Sequence, residues 1–267
     1  MIDGTLNYIW NTVSNLVKQK EEDMEKLNVG IKRKKSRKND PNAAEADEQF
    51  NKMRRTVLIK SGSMCQGCKA PTTATANAPQ GYFEIHHKDD DHHHNDEKNL
   101  LFVCPFCHMV FTCGKHGKDF EAPKDDSAHL LWLPGIPQNT LNLLAHLIFQ
   151  LRYSVGRKEL MRIKDHPAAW LTPEAVQEAE KLEKAIIETG TNNVAAIFGK
   201  RKDGSTVQCH HFYDMLKGLD TNTYEERLNT FSGVRLWPKY EKFMPMTEYL
   251  SRSGKLLKSV PMGIFQK

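Results

Sequence analysis

Two cysteine pairs of identical spacing, Cys65-x2-Cys68 and Cys104-x2-Cys107, constrain this chain more than any other feature. A Cys-x2-Cys pair closes a tight knuckle that aims two sulfurs at one point. Two such pairs supply the four thiolates that hold a zinc ion tetrahedrally. Four thiolates fill the coordination sphere, so such an ion is structural and leaves no position open for chemistry. The gap between the pairs, residues 69–103, is long for a compact ribbon but accommodates a two-stranded unit. Cys113 and Cys209 stand apart and read as free core thiols, although Cys113 is near enough in sequence to replace a ligand.

The rest of the composition narrows the class. Of 267 residues, 39% are hydrophobic and 27% charged, enough apolar material for a substantial core. No run approaches the roughly 18 consecutive apolar residues that a membrane-spanning helix needs. Residues Met1–Lys20 lack a basic start and a small-residue cleavage site, so no signal peptide is read there. The expected location is the cytoplasm, where cysteines bind metals or remain thiols. The net charge is +5, part of it in the block Lys32–Lys38. Such a block either contacts phosphates or is a solvated linker, and the weak overall charge does not require a nucleic-acid partner.

Along the chain, Leu6, Ile9, Trp10, Val13, Leu16 and Val17 predict a helix over residues 1–27, docked on this core or on a partner. Residues 28–48 read as a linker. Tyr82–Ile85 and Leu100–Val103 are candidate strands. Leu130–Leu133 predicts a further strand ended by Pro134-Gly135. Leu141, Leu144, Leu147, Ile148 and Leu151 predict an amphipathic helix outside the zinc module. Thr172-Pro173-Glu174 starts another, which Gly190 ends. Short helices are expected around Cys209–Leu216 and Tyr224–Thr230. The organisation expected is therefore residues 1–48, an N-terminal helix and basic linker; 49–128, the zinc module; and 129–267, a mostly helical region.

Between the cysteine pairs stand Glu84-Ile85-His86-His87 and Asn99, and His108 follows the second pair directly. This pattern resembles HNH endonucleases, in which a hairpin and a helix enclose a catalytic divalent ion. The resemblance implies an α+β fold with an HNH-like ββα-metal core. It makes His87 the general base, Asn99 the residue that holds the hairpin loop and orients the base, and His86 and His108 ligands of a catalytic Mg²⁺ or Mn²⁺. A neutral imidazole takes a proton near pH 7, and a divalent ion stabilises charge on the scissile phosphate. Adjacent histidines on a regular strand point to opposite faces, so shared chemistry requires a bend there. Many members carry another histidine where this chain has Thr112. The run Asp89–His94 reads as a solvated loop.

A second resemblance covers more of the chain. His129–Pro134, Leu141-Asn142 with His146, Ala196–Gly199, Arg235–Pro238 and Lys242-Phe243 occur in the order seen in the DotN (IcmJ) family. These are HNH-like subunits of the type IVB secretion coupling complex. The resemblance implies a zinc-binding assembly subunit that docks a C-terminal segment of the coupling ATPase beside a DotM-like subunit. Its place would be cytoplasmic, at the inner face of the membrane through partners and without direct membrane insertion. The alternative is a metal-dependent HNH endonuclease acting on DNA.

Overall fold

The computed structural model describes residue 15 and residues 24–33, 42–72, 82–115 and 126–259. The architecture is mixed helix and sheet, with two small antiparallel sheets, each of two strands, among the described residues. The first helix, α1, runs Ala43–Lys60. Strands β1, Glu84–His87, and β2, Leu100–Val103, pair from Glu84↔Val103 to His87↔Leu100. Helix α2, Pro105–Phe111, starts inside the second cysteine pair, where Pro105 fills the first helical position and needs no amide partner.

The second sheet joins β3, Ala128–Trp132, to β4, Val234–Pro238, with His129 opposite Trp237. Helices α3, Gln138–Ser154, α4, Lys158–Met161, and α5, Pro173–Phe198, follow β3. Helices α6, Cys209–Gly218, and α7, Thr221–Thr230, lead to β4. Helices α8, Met244–Ser251, and α9, Lys255–Lys258, follow it.

Several expectations change. The helix predicted over 1–27 lies outside the described residues except at Asn15, which is helical, and at residues 24–27, which are not. Residues 28–33 are not a free linker. Leu27 and Ile31 are buried, the Gly30 amide donates to the Val110 carbonyl, and the Tyr224 hydroxyl bonds both the amide and the carbonyl of Ile31. Helix α1 also begins inside the supposed linker. Gly190 does not end α5, which continues to Phe198. A Cβ at Gly190 would lie 2.7 Å from Leu131 Cβ, so glycine there permits close approach of α5 to β3. The helix ends instead at Gly199, whose φ of 75° lies in the left-handed region.

Helix α3 departs most from its pattern. The apolar periodicity suggested one wet face, yet almost every residue from Gln138 to Ser154 is buried. It packs against α8, β4, α5 and α2, and leaves no exposed apolar strip. One continuous core runs from Leu27 through the four paired cysteines to Leu257.

Candidate metal centre

The two knuckles form where backbone turns tightly. Met64 and Pro71 close a bridge around Cys65–Cys68, and Lys69 adopts a left-handed φ of 57°. Gly67 is required for closeness: a Cβ there would meet Cys107 Sγ at 2.8 Å. Strand β2 and the start of α2 present the other pair. The side chains of Cys65, Cys68, Cys104 and Cys107 are fully buried, and their sulfurs all lie within 4.8 Å of one another. Cys68 and Cys104 sulfurs are 3.7 Å apart. That is about the edge of a tetrahedron whose corners lie roughly 2.3 Å from a central zinc. The donor set and its spacing fit a metal ion such as zinc.

Burial pushes the Cys68, Cys104 and Cys107 thiols up, whereas bonds from the other three sulfurs hold Cys65 low against its own burial. A divalent cation at the centre reverses the first effect and makes all four thiolates. Thiolates need donors, and the fold provides them. The Cys104 amide donates to Cys65 Sγ at 3.2 Å and the Cys68 amide reaches it at 3.5 Å. Two donors come from α3: Asn142 Nδ2 donates to Cys107 Sγ at 3.2 Å, and His146 Nε2 lies 3.2 Å from Cys104 Sγ. Burial holds His146 down to about 4, and a metal-bound thiolate only accepts, so beside a thiolate at Cys104 Nε2 is the nitrogen that carries the proton. Its face stacks on Phe106, which Phe149 and Phe243 meet edge-on.

Asn142 is aimed by a third residue. Gln138 Nε2 donates to Asn142 Oδ1 at 2.8 Å and to the Leu236 carbonyl, while Gln138 Oε1 accepts from the Leu236 amide. A hydrogen-bonded line thus joins β4 to the metal centre. Gln138, Asn142, His146, Gln150 and Ser154 recur every four residues, a polar stripe that winds slowly round the buried helix. This polar stripe was visible in the sequence; its role was not, because spacing does not say what faces it.

The second candidate site is only partly assembled. The strand is regular through His87, so its two histidines diverge. His86 is buried, stacked on Phe111 at 4.1 Å, and 5.5 Å from the His108 ring between centroids. Burial above all, then the charges of His108, His87 and Lys32, pushes His86 down to about 3. His108 Nδ1 pairs with Glu84 Oε2 at 3.0 Å. His87 lies on the other side, stacked on Phe50 of α1, with Nε2 2.9 Å from Asn95 Oδ1. Burial also lowers His87.

Asn99 does hold the hairpin loop. Its Nδ2 donates to Asp89 Oδ1 and the His94 carbonyl, and its Oδ1 accepts from the Asp89 amide. It makes no bond to His87; Asn95 orients that ring instead. The run Asp89–His94 is an ordered turn built on Asp89, whose carboxylate also takes His94 Nδ1 at 2.7 Å. Thr112 turns away, its hydroxyl donating to the Lys115 carbonyl at 2.6 Å. His86, His87, Asn99 and His108 therefore do not converge on one point. The only group of three or more metal-ligating side chains among the described residues is the four-cysteine cluster.

The segment 24–33 brings an unforeseen charge. The side chain of Lys32, which opens the basic block, lies close enough to depress both His86 and His87. The block looked remote from this site in sequence, but the bonds of Gly30 and Ile31 carry its first residue there. Cys113 and Cys209 are buried thiols outside the cluster, Cys113 Sγ donating to the Cys209 carbonyl. Comparison with family models and with curated proteins gives no match.

Proposed function

We propose that this protein is a zinc-stapled assembly subunit of a type IVB secretion or conjugation machine, docking the coupling ATPase in the cytoplasm. The supporting observation is convergence. The five stretches that carry the DotN-like resemblance are scattered through the sequence, yet they pack as one structure. His129–Leu131 pairs with Arg235–Trp237, Phe198 meets Trp132 edge-on, and Phe243 packs on Phe106. Asn142 and His146 donate to the thiolates. A metal ion held in this way ties the hairpin module to the helical region and gives a rigid platform for assembly. In this reading the ion is zinc, Cys65, Cys68, Cys104 and Cys107 hold it, and it supplies folding free energy rather than catalysis. No helix of the described residues is long and apolar enough to cross a membrane, which suits a subunit recruited by partners.

The test is affinity purification of the tagged chain from its native cell, followed by mass spectrometry. Recovery of a coupling ATPase and a DotM-like subunit is the outcome expected. Recovery of no secretion component counts decisively against the proposal.

A second reading, a metal-dependent HNH endonuclease, draws on one observation: the charge of Lys32 reaches both His86 and His87, and a cation near the site favours a phosphate. Against it stand the divergent histidines and Thr112. The substitution His87→Ala separates the two. If it abolishes robust plasmid cleavage with Mg²⁺ or Mn²⁺, and also transfer in cells, while the protein stays folded and metal-bound, the nuclease reading takes first place.

A further inference from the structure

The segment after α3 is unusual for a surface loop. Met161 and Ile163 are each 43% exposed, although both are large and apolar. They alternate with exposed cations, Lys158, Arg162 and Lys164. The segment is not loosely attached. Leu160 is buried against Tyr153 and Ala168, and Arg157 lies over the Tyr153 ring at 4.1 Å. The His166 ring bonds the Ser251 carbonyl at 2.7 Å.

That last bond brings a second basic element alongside. Gly254 sits so close that a Cβ would meet Pro167 Cδ at 2.7 Å. From there the chain carries exposed Arg252, Lys255 and Lys258, while Leu256 and Leu257 are buried beneath. Three carboxylates accompany these six cations and Arg157: Glu159 pairs with Arg157, Glu248 with Arg252, and Asp165 is exposed. The surface is thus net positive, rigidly backed, and tipped by two bare apolar side chains.

We propose that this face, residues 158–164 with Arg252, Lys255 and Lys258, docks on an anionic phospholipid surface. Lysines and arginines are drawn to the negative headgroup layer, and Met161 and Ile163 enter the interface, where apolar area leaves water. Duplex DNA would use the cations but gains nothing from two exposed apolar tips. A purely acidic peptide without apolar side chains, such as polyglutamate, would likewise be indifferent to them. The proposal is independent of the assembly reading, since its residues include neither the metal ligands nor the five stretches that carry the DotN-like resemblance.

The experiment is co-sedimentation of the full chain with vesicles of phosphatidylglycerol in phosphatidylcholine, and with phosphatidylcholine alone. Binding to the first and not the second, weakened by added salt, is expected. The double change Arg162→Glu with Lys164→Glu should weaken binding by more than about tenfold. Met161→Ser with Ile163→Ser should also weaken it, at unchanged thermal midpoint and metal content. Lys200→Glu with Lys202→Glu, a charge reversal elsewhere on the surface, should weaken it far less. Failure of the wild-type chain to sediment overturns the proposal, as does equal loss in the Lys200 and Lys202 control. An unchanged affinity in the Met161 and Ile163 variant, with tight binding to duplex DNA or polyglutamate, overturns it in favour of those partners.

Discussion

Replacing His146 with Phe isolates the link between the helical region and the metal centre. Phenylalanine keeps the ring volume and the stacking on Phe106, and removes only the N–H that reaches Cys104 Sγ at 3.2 Å. A hydrogen bond to a charged acceptor contributes on the order of 1.5–3 kcal/mol, and here no water can replace the donor because His146 is buried. Without it the negative charge on the buried sulfur is less well stabilised, so a proton competes better with the ion for that ligand. Outer donors of this kind change metal affinity by about 10–100-fold, which matches that free energy. The assay is competition for zinc against a chromophoric chelator, with urea unfolding on the same samples. Affinity and stability should fall together. A variant whose zinc affinity stays within about twofold of wild type would refute the reasoning, because the bond would then do no more than fill space.

Three further outcomes follow from the geometry. Cys104→Ser with Cys107→Ser removes half the ligand set inside a fully buried cluster, so the chain should be recovered insoluble or partly unfolded, as solubility and circular dichroism will show. Gly190→Ala should destabilise the protein by about 1–2 kcal/mol although alanine is the better helix former, because its Cβ would crowd Leu131 Cβ at 2.7 Å; a raised thermal midpoint would contradict this. His86 titrates at about 3 when folded. The unfolded chain, titrating near 6.5, binds the proton first, so this stability is fully present above about pH 6.5 and is lost as pH falls toward about 3. His86→Phe should therefore lose about 2 kcal/mol less than wild type between about pH 7 and pH 5 in urea titrations.

Much of this was legible because it is local. The cysteine spacing marked the four residues whose sulfurs cluster, and short apolar runs marked β2 and β3. Thr172-Pro173 marked the start of α5, where the Thr172 hydroxyl accepts from the Ala175 amide. What was hidden depends on contacts distant in sequence. Helix α1 is too polar to announce a buried face, yet Val57 and Leu58 are inside. Gly190 reads as a terminator until Leu131 is seen beside it. The periodicity of α3 gave its helix but not its full burial, and its polar stripe acquired a meaning only opposite the sulfurs. Divergence of His86 from His87 follows from strand geometry alone, provided the strand is straight. The pairing through His87 shows that it is.

The central claim is a four-thiolate zinc centre that ties the hairpin module to the helical region. Zinc-edge X-ray absorption on protein purified without added metal, with metal content measured on the same sample, tests it most directly. The account predicts about one zinc per chain with four sulfur neighbours at about 2.3 Å. A protein without zinc, or zinc bound to nitrogen or oxygen neighbours, would contradict it.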